Sequence, residues 1–206
     1  MPLSKILGIG ERFSVQALKE RILAEGKNLG DGILKIDGIL NHQMYPALTQ
    51  QMGVEIAARF RDANPTRILT AEVSGIAPAL MTALALNVPV VYARKKKPIT
   101  MYGPVFLETA PTHTKGGNEV MLLVAAEYLP RGERVLIVDD FLASGQTLRA
   151  LARIVNGAEC ELVGVAAVVE KTFEGGRELL ESRYGVRVES LVQIVNMDDG
   201  QIVMAD

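Results

Sequence analysis

The sequence is nearly without cysteine, since Cys160 is the single one among its 206 residues. A lone cysteine excludes an intramolecular disulfide and argues against a cysteine-based metal site. We expect Cys160 to be a small buried apolar residue, which is the usual role of a free cysteine. The fold must therefore rest on a hydrophobic core. A chain of this length can bury about 70 % of its unfolded surface.

Long hydrophobic runs and a strong charge of one sign are also missing. No stretch approaches the roughly 18 consecutive apolar residues of a membrane span. The amino terminus lacks the apolar core of a signal peptide, so we expect a cytoplasmic protein with no membrane partner. The net charge is −2 and the pI about 5.8, so no overall attraction draws the chain to nucleic acid. Only a local cationic patch could do so.

Short runs of valine, isoleucine and leucine alternate with helical patterns along the chain. Unbroken apolar strands between helices are typical of a parallel sheet covered on both faces. The sequence thus predicts a doubly wound α/β domain with a mostly parallel sheet. Helices are predicted over residues 14–26, 46–62, 76–86, 146–156 and 177–183. Strands are predicted over residues 33–36, 67–71, 88–92, 120–125, 135–138, 162–169, 186–195 and 202–204.

Three segments depart from this alternation. Residues 1–13 form an N-terminal extension to which no role is assigned. Residues 27–45 precede the alternation and are predicted to form a small separate lobe. Residues 95–118 contain three prolines and three glycines without a strong period. We expect them to be either a strand hairpin or a mobile loop, and long loops in compact domains are usually functional.

The most informative pattern lies at residues 135–147, where an apolar strand leads to Asp139 and Asp140 and then to a helix. Ala143, Ser144, Gly145, Gln146 and Thr147 make the turn, which places backbone N–H groups and hydroxyls at a helix amino terminus. That arrangement binds phosphate, whereas two carboxylates suit sugar hydroxyls. The pattern indicates a site for ribose 5-phosphate. In isolation, an aspartate pair beside an ordinary helix entrance is the simpler interpretation, and the strand-to-helix context reverses that preference.

Two weaker signals follow other predicted strands. Ser74 and Gly75 lie at a strand-to-helix turn and can present N–H groups to a second anion, although such turns are common. Residues 94–97 read Arg-Lys-Lys-Lys, which is either a solvated charged face or a cationic contact for the same ligand. Ligands of open α/β sheets bind at the carboxyl ends of the strands, where both signals fall.

Residues 135–147 resemble, position by position, the signature of the type I phosphoribosyltransferases. The resemblance implies their fold, with the lobe at residues 27–45 as a hood and residues 14–206 as one domain. It implies that Asp139 and Asp140 hold the ribose hydroxyls and that residues 143–147 enclose the 5-phosphate. Contacts to the diphosphate of phosphoribosyl diphosphate are expected from Ser74, Gly75, Arg94 and Lys95.

Residues 34–43, 74–79, 93–97 and 170–176 extend the likeness to the xanthine phosphoribosyltransferases of bacterial purine salvage. This likeness covers about residues 15–204. It implies transfer of the 5-phosphoribosyl group to N9 of xanthine, a homodimer, and Mg²⁺ held mainly by substrate oxygens. It places Leu34, Asn41 and Lys171 at the base. The residue types agree, because an Asn amide can pair with a lactam edge and a lysine favours an acidic purine with two exocyclic carbonyls.

Two other functions fit the same patterns. One is the same transfer to guanine or hypoxanthine. The other is a non-catalytic regulator that senses phosphoribosyl diphosphate on this fold and binds nucleic acid. The acidic pI and the roughly 30 residues before the first predicted strand, too few for a winged-helix domain, count against the regulator.

Overall fold

The computed structural model of the protein describes residues 15–111 and 119–205. The predicted helix cap Ser14 and the extension at residues 1–13 lie outside the described residues. Helix α1 (Val15–Glu25) buries Leu18 and Ile22, which are four residues apart and share one face. Leu23, one residue further along, faces solvent at 56 % exposure.

The segment after α1 forms a small hairpin and a helical turn. Strands β1 (Lys27–Asn28) and β2 (Leu34–Lys35) pair antiparallel. A π-helical turn follows at Asp37–Asn41, with Ile39 and Leu40 buried in the same core as α1. Helix α2 (Pro46–Phe60) begins with a proline, whose fixed φ suits a first helical position, and a 3₁₀ turn at Arg61–Ala63 ends it. That this segment acts as a hood stays a prediction.

The central sheet has six strands in the order β10-β9-β8-β7-β3-β4, and all pairs except β10 with β9 are parallel. This confirms the predicted mostly parallel sheet. Three helices connect successive strands. The strands are β3 (Arg67–Ala71), β4 (Val90–Ala93), β7 (Arg134–Leu142), β8 (Glu161–Lys171), β9 (Val188–Asn196) and β10 (Val203–Met204), and the connecting helices are α3 (Ile76–Leu86), α4 (Gln146–Gly157) and α5 (Gly176–Tyr184).

Alternate strand residues serve two separate cores, one on each face of the sheet. Leu136 and Val138 join the core under α1, α2 and α3. Val135 and Ile137 join the core under α4 and α5. Because both faces are covered, the strands are apolar at nearly every position, which is why they appear as unbroken runs in the sequence.

The irregular stretch after β4 is a hairpin in its second half. Strands β5 (Val105–Pro111) and β6 (Glu119–Ala125) pair antiparallel over seven residue pairs. A single bridge from Arg94 to Leu123 attaches this hairpin to the edge of the central sheet. The hairpin alternative is therefore confirmed for the described part, while residues 112–118 lie outside it.

Two further expectations need correction. Cys160 is only half-buried, and its thiol lies 3.2 Å from the carbonyl oxygen of Pro130, so it is not a fully buried apolar residue. Strand β7 does not end before the aspartates but continues to Leu142, because the long strand β8 offers partners as far as Glu170.

As to membranes, no helix of the described residues has the length and apolar character to cross one.

Candidate active site

The turn from β7 into α4 forms an anion site of backbone N–H groups. Gly145 precedes the helix with φ +74, a conformation that favours glycine. No side chain caps the amino terminus of α4. The N–H groups of a first helical turn have no partner within the helix, and the helix dipole adds partial positive charge there. This terminus is therefore available to a phosphate.

The uncapped terminus opens into a cavity of about 300 Å³, which is the lower end of the range for small-molecule sites. Eight of the predicted site residues line it. They come from the ends of β3, β4 and β7 and from the turn into α4, namely Ser74, Lys95, Asp139, Asp140, Ala143, Gly145, Gln146 and Thr147.

Asp139 and Asp140 bring two carboxylates into this cavity almost without solvent contact, at 6 % and 8 % exposure. The backbone N–H of Asp140 donates to Oδ1 of Asp139 over 3.1 Å. Burial, together with the charge of Asp140, raises the pKa of Asp139 well above its ordinary value, although Lys95 acts in the opposite direction. The aspartate pair is therefore short of neighbouring positive charge and of hydrogen-bond donors. Both are what a sugar diol with a metal ion supplies.

Gly75 lies beneath the turn that follows β3. A Cβ atom at this position would overlap Oδ1 of Asp139 and Oγ1 of Thr70. The hydroxyl of Thr70 is buried and has no hydrogen-bond partner among the described residues. Only glycine lets the turn pack this closely on the aspartate. Gly75 thus allows the turn to pack against Asp139, while Ser74 lines the cavity.

Arg94 and Lys95 point to different places, because they follow one another at the end of a strand. Lys95 lines the cavity at the amino terminus of α4, here called the phosphate cavity. Arg94 lines a second cavity at the sheet edge, where its Nε lies 2.8 Å from Oε2 of Glu72 and its guanidinium faces the ring of Tyr92. Within a single chain the structure does not bring Arg94 to the phosphate cavity, and its predicted contact with the diphosphate is not supported there.

The sequence patterns assign no role to Glu72, which contacts both basic residues. Its Oε1 accepts a hydrogen bond of 2.6 Å from the backbone N–H of Lys95, while Oε2 pairs with Arg94. Glu72 also lines the phosphate cavity. It thereby fixes the chain at the point where Lys95 enters the site. A glutamate two residues before Ser74 was the available signal.

The residues predicted at the base lie at the end of β8 and near the early hairpin. The ammonium of Lys171 is mostly buried and donates to the carbonyl oxygen of Gly32 and to Glu174, each over 2.8 Å. It thus links β8 to the turn just before Leu34. The Leu34 side chain belongs to the core. Asn41 ends the π-helical turn, is exposed, and makes no side-chain hydrogen bond within the described part of the chain.

An aromatic ring beside Lys171 also escaped the sequence reasoning. Phe173 lies in the 3₁₀ turn Thr172–Glu174 and is 48 % exposed. Its ring approaches Gly32, where an added Cβ would lie 3.9 Å from the ring carbon Cε2. An exposed ring next to a lysine and a backbone turn offers a flat apolar face to a planar ligand. The sequence signal was one phenylalanine in an otherwise polar turn.

Comparison with known proteins agrees with this geometry. Residues 45–198 match the model of the phosphoribosyl transferase domain. The xanthine phosphoribosyltransferase of Deinococcus deserti is 50 % identical over 192 residues, covering 93 % of this chain and 98 % of that protein. The xanthine phosphoribosyltransferase of Moorella thermoacetica is 49 % identical over 189 residues, covering 91 % and 95 %.

Solved structures with the same fold are adenine phosphoribosyltransferases. The enzyme of Rhodothermus marinus gives a TM-score of 0.70 at 25 % identity, covering 87 % of this chain and 98 % of that one. The APRTase of Giardia lamblia gives 0.71 at 23 % identity, covering 89 % and 99 %, and supports the fold alone. From the domain match and the relatives of about half identical sequence, this chain belongs to the phosphoribosyltransferase family.

Proposed function

We propose that this protein transfers the 5-phosphoribosyl group from phosphoribosyl diphosphate to N9 of xanthine, giving xanthosine 5′-monophosphate and diphosphate. This is a pentosyl transfer of purine salvage. The observation that carries the proposal is the meeting of an aspartate pair, an uncapped helix terminus and Lys95 in one cavity. The relatives named xanthine phosphoribosyltransferase support the choice of base.

The donor's ribose 5-phosphate spans the two halves of this cavity. The 5-phosphate accepts hydrogen bonds from the first N–H groups of α4 and from the hydroxyl of Thr147, which lines the cavity, whereas Ser144 does not line it. Asp139 and Asp140 accept hydrogen bonds from the 2- and 3-hydroxyls. Carboxylates next to a phosphate group repel it, so their place one sugar away from the helix terminus fits this orientation and no reversed one.

The diphosphate departs toward Ser74, Gly75 and Lys95. The ammonium of Lys95 stabilises the charge that grows on the leaving group as the bond to the anomeric carbon breaks. The remaining cation at that carbon resembles an oxocarbenium ion and lies near the aspartate pair. Catalysis then rests on positioning and on charge stabilisation.

Mg²⁺ fits this site as a partner of the donor. No group of three histidine, cysteine, aspartate or glutamate side chains forms a metal cage within residues 15–111 and 119–205. The buried aspartate pair nonetheless lacks positive charge, as the raised pKa of Asp139 indicates through its burial and its charged neighbour. Asp139 and Asp140 would hold the ligands of such an ion, which would supply charge neutralisation for the diphosphate.

Water must be excluded, because it competes with the base for the anomeric carbon. The hairpin of β5 and β6 contributes Pro111, Val120 and Leu122 to the wall of the cavity. These apolar side chains line the same cavity as the aspartate pair. This gives the irregular stretch between β4 and β7 a function in the reaction.

The base lies against Lys171 and Asn41, with Leu34 at its edge. A charged ammonium favours carbonyl oxygens and an acidic purine, and xanthine has two exocyclic carbonyls and is more acidic than guanine or hypoxanthine. The free amide of Asn41 can donate to and accept from a lactam edge. Adenine has an amino group in place of a carbonyl and offers Lys171 no oxygen.

Initial rates with phosphoribosyl diphosphate, Mg²⁺ and each of xanthine, guanine, hypoxanthine and adenine test the choice of base. We expect kcat/KM for xanthine to exceed the others at least tenfold. Equal values for the three oxopurines contradict the xanthine proposal. Turnover of Asp139→Asn together with Asp140→Asn tests the ribose site, with Asp62→Asn as an exposed control. Full turnover of the double variant contradicts the ribose assignment.

We also infer that the protein is a cytoplasmic homodimer. Beside the edge strand β4, a cavity of about 430 Å³ is lined mostly by apolar and aromatic side chains, together with Arg67, Arg94 and Glu127. Two of the aromatic residues, Tyr92 and Tyr128, are exposed at 41 % and 57 %. Exposed aromatic patches of this kind mark protein interfaces. Light scattering coupled to size exclusion gives the mass in solution, and a mass of 22 kDa contradicts the inference.

A further inference from the structure

Residues 143–147, which we call the phosphate turn, contact the first residue of α5. The backbone N–H of Gly176 donates to the carbonyl oxygen of Ala143 over 3.0 Å. This bond directs that carbonyl toward α5, and Gly176 is not among the residues that line the cavity. A carbonyl turned toward the cavity would repel an anion there. The bond thus leaves the cavity side of the turn to N–H groups and hydroxyls.

Two glycines face each other at this contact, with no room for a side chain on Gly176 and little room on Gly145. A Cβ on Gly176 would overlap the carbonyl oxygen of Ala143, and it would lie 2.7 Å from the nitrogen of Gly145 and 2.6 Å from Cδ1 of Leu142. A Cβ on Gly145 would in turn lie 3.0 Å from the Cα and carbonyl oxygen of Gly176. Real Cβ atoms essentially never approach other atoms closer than 3.0 Å.

Gly176 is held in place by its neighbour. The Arg177 guanidinium makes two hydrogen bonds to the buried carboxylate of Glu170, of 2.9 and 2.6 Å. It also donates to the carbonyl oxygen of Val188 and to the hydroxyl of Ser190. These bonds tie the first turn of α5 to the ends of β8 and β9. Because these hydrogen bonds oppose a shift of α5, we expect crowding at Gly176 to move the phosphate turn instead.

We propose that Gly176, anchored through Arg177 and Glu170, is a positioning residue for the turn that binds the donor's 5-phosphate. The identity of that ligand rests on the proposed function. The same segment carries Lys171 and Phe173, so one short stretch of chain both borders the base and sets the phosphate turn. Any added atom at position 176 displaces N–H groups from the phosphate while leaving the base-contacting side chains unchanged.

The variant Gly176→Ala tests this directly. We expect the KM for phosphoribosyl diphosphate and its calorimetric Kd in the presence of Mg²⁺ to rise at least tenfold. The KM for the base at saturating donor should change less than threefold. A purely structural loss lowers the active fraction, and hence kcat, without raising the donor KM.

Two glycine-to-alanine controls separate crowding from general destabilisation. Gly185→Ala ends the same helix at φ +64 with nothing near its Cβ, so it introduces backbone strain without touching the turn. Gly157→Ala places a Cβ 4.0 Å from Phe106, an ordinary contact. Both should keep the donor KM within about twofold of wild type. A tenfold rise in Gly185→Ala would overturn the proposal, because strain alone would then suffice.

Arg177→Lys serves as a second probe if Gly176→Ala does not fold. It keeps the charge but loses the paired bonds to Glu170, so the donor KM should rise at least threefold. An unchanged donor KM in every folded variant contradicts the proposal while leaving the proposed function intact. A wild type that binds no phosphoribosyl diphosphate contradicts both, and a preference for guanine affects only the choice of base.

Discussion

Glu170 is only 1 % exposed, and its carboxylate accepts two hydrogen bonds from Arg177. Ser190 and Gln193 complete its shell with bonds of 2.6 and 3.0 Å. The carboxylate therefore accepts four hydrogen bonds, three of them at Oε2 and one at Oε1. A buried charge is tolerated only under such conditions, so this group should matter for stability as well as for the placement of α5.

Replacing Glu170 by glutamine should destabilise the protein by about 2–3 kcal/mol. The amide turns an acceptor into a donor beside Arg177, and breaking a buried pair costs about 3–5 kcal/mol, reduced here because Arg177 is partly exposed. Urea unfolding at pH 7 measures the change. The matched control is Glu159→Gln, whose ion pair with Arg131 is exposed on both sides and should contribute less than about 1 kcal/mol. Equal losses contradict the expectation.

The same pair should give a defined pH dependence. Burial raises the pKa of Glu170, but the hydrogen bonds of Arg177, Ser190 and Gln193 outweigh it and leave the pKa below the ordinary 4.5. A lowered pKa in the folded state means that the stabilisation is complete above about pH 4.5 and is lost as the pH falls through the folded pKa. The advantage of wild type over Glu170→Gln should thus shrink below pH 4.5. An advantage that grows on acidification contradicts the assignment.

Asp139 should show the opposite relation between charge and stability. Its pKa is raised by burial and by Asp140, so its charged form is unfavourable in the folded state. Asp139→Asn should raise the free energy of unfolding at pH 7 by about 0.5–2 kcal/mol, as is common when a strained functional group is removed. Turnover should fall at least a hundredfold in the same variant. Urea unfolding and initial rates measure the two effects.

The sign of the pH effect at Asp139 follows from the same shift. The folded state binds its proton at a higher pH than the unfolded state, so wild type gains stability as the pH falls from above the folded pKa toward 3.8. The excess stability of Asp139→Asn should therefore be largest at high pH and shrink toward acid. A variant less stable than wild type at pH 7 shows that Asp139 holds the turn at Gly75 together.

The fold and most of the residues that line the proposed donor cavity could be predicted from the sequence because their signals are local. An unbroken apolar run in β7, followed by two aspartates and a Ser-Gly turn, is one continuous segment of chain. The prediction erred on how far β7 continues, because that depends on the partner β8, which lies some 20 residues further along. Strand ends are decided by pairing, and pairing is not local.

Contacts between distant segments account for what the sequence could not show. Glu72 binds the side chain of Arg94 and the backbone N–H of Lys95. Nothing in the sequence at positions 94 and 95 reveals which of the two side chains faces the cavity. Gly176 is one of 19 glycines, and its contact with the phosphate turn exists only once β8 has placed α5 beside it. Such residues carry no composition signal, since their constraint comes from packing.

The different places of the two basic residues predict different effects on catalysis. Lys95→Met should lower kcat/KM for phosphoribosyl diphosphate about a hundredfold, because a charge-assisted contact to the leaving group is worth roughly 1.5–3 kcal/mol. Arg94→Met should change it less than about threefold, since Arg94 lines the second cavity and its guanidinium is already paired with Glu72. Initial rates at varied donor concentration measure both. Equal losses would show that Arg94 reaches a diphosphate, as it could from a partner subunit.

Lys171 has a structural contact and a proposed contact with the base, and one variant cannot separate the two. Its ammonium holds Gly32 and Glu174, and we propose that it also meets the base. Lys171→Met should raise the KM for xanthine at least tenfold and reduce the preference for xanthine over the less acidic hypoxanthine, with the donor KM within threefold. Glu174→Gln is the control: it removes one partner of the ammonium but keeps the charge and the bond to Gly32, so the KM for xanthine should not rise. If Lys171→Met weakens xanthine and hypoxanthine equally, the lysine only anchors the turn before Leu34, and selectivity must come from Asn41.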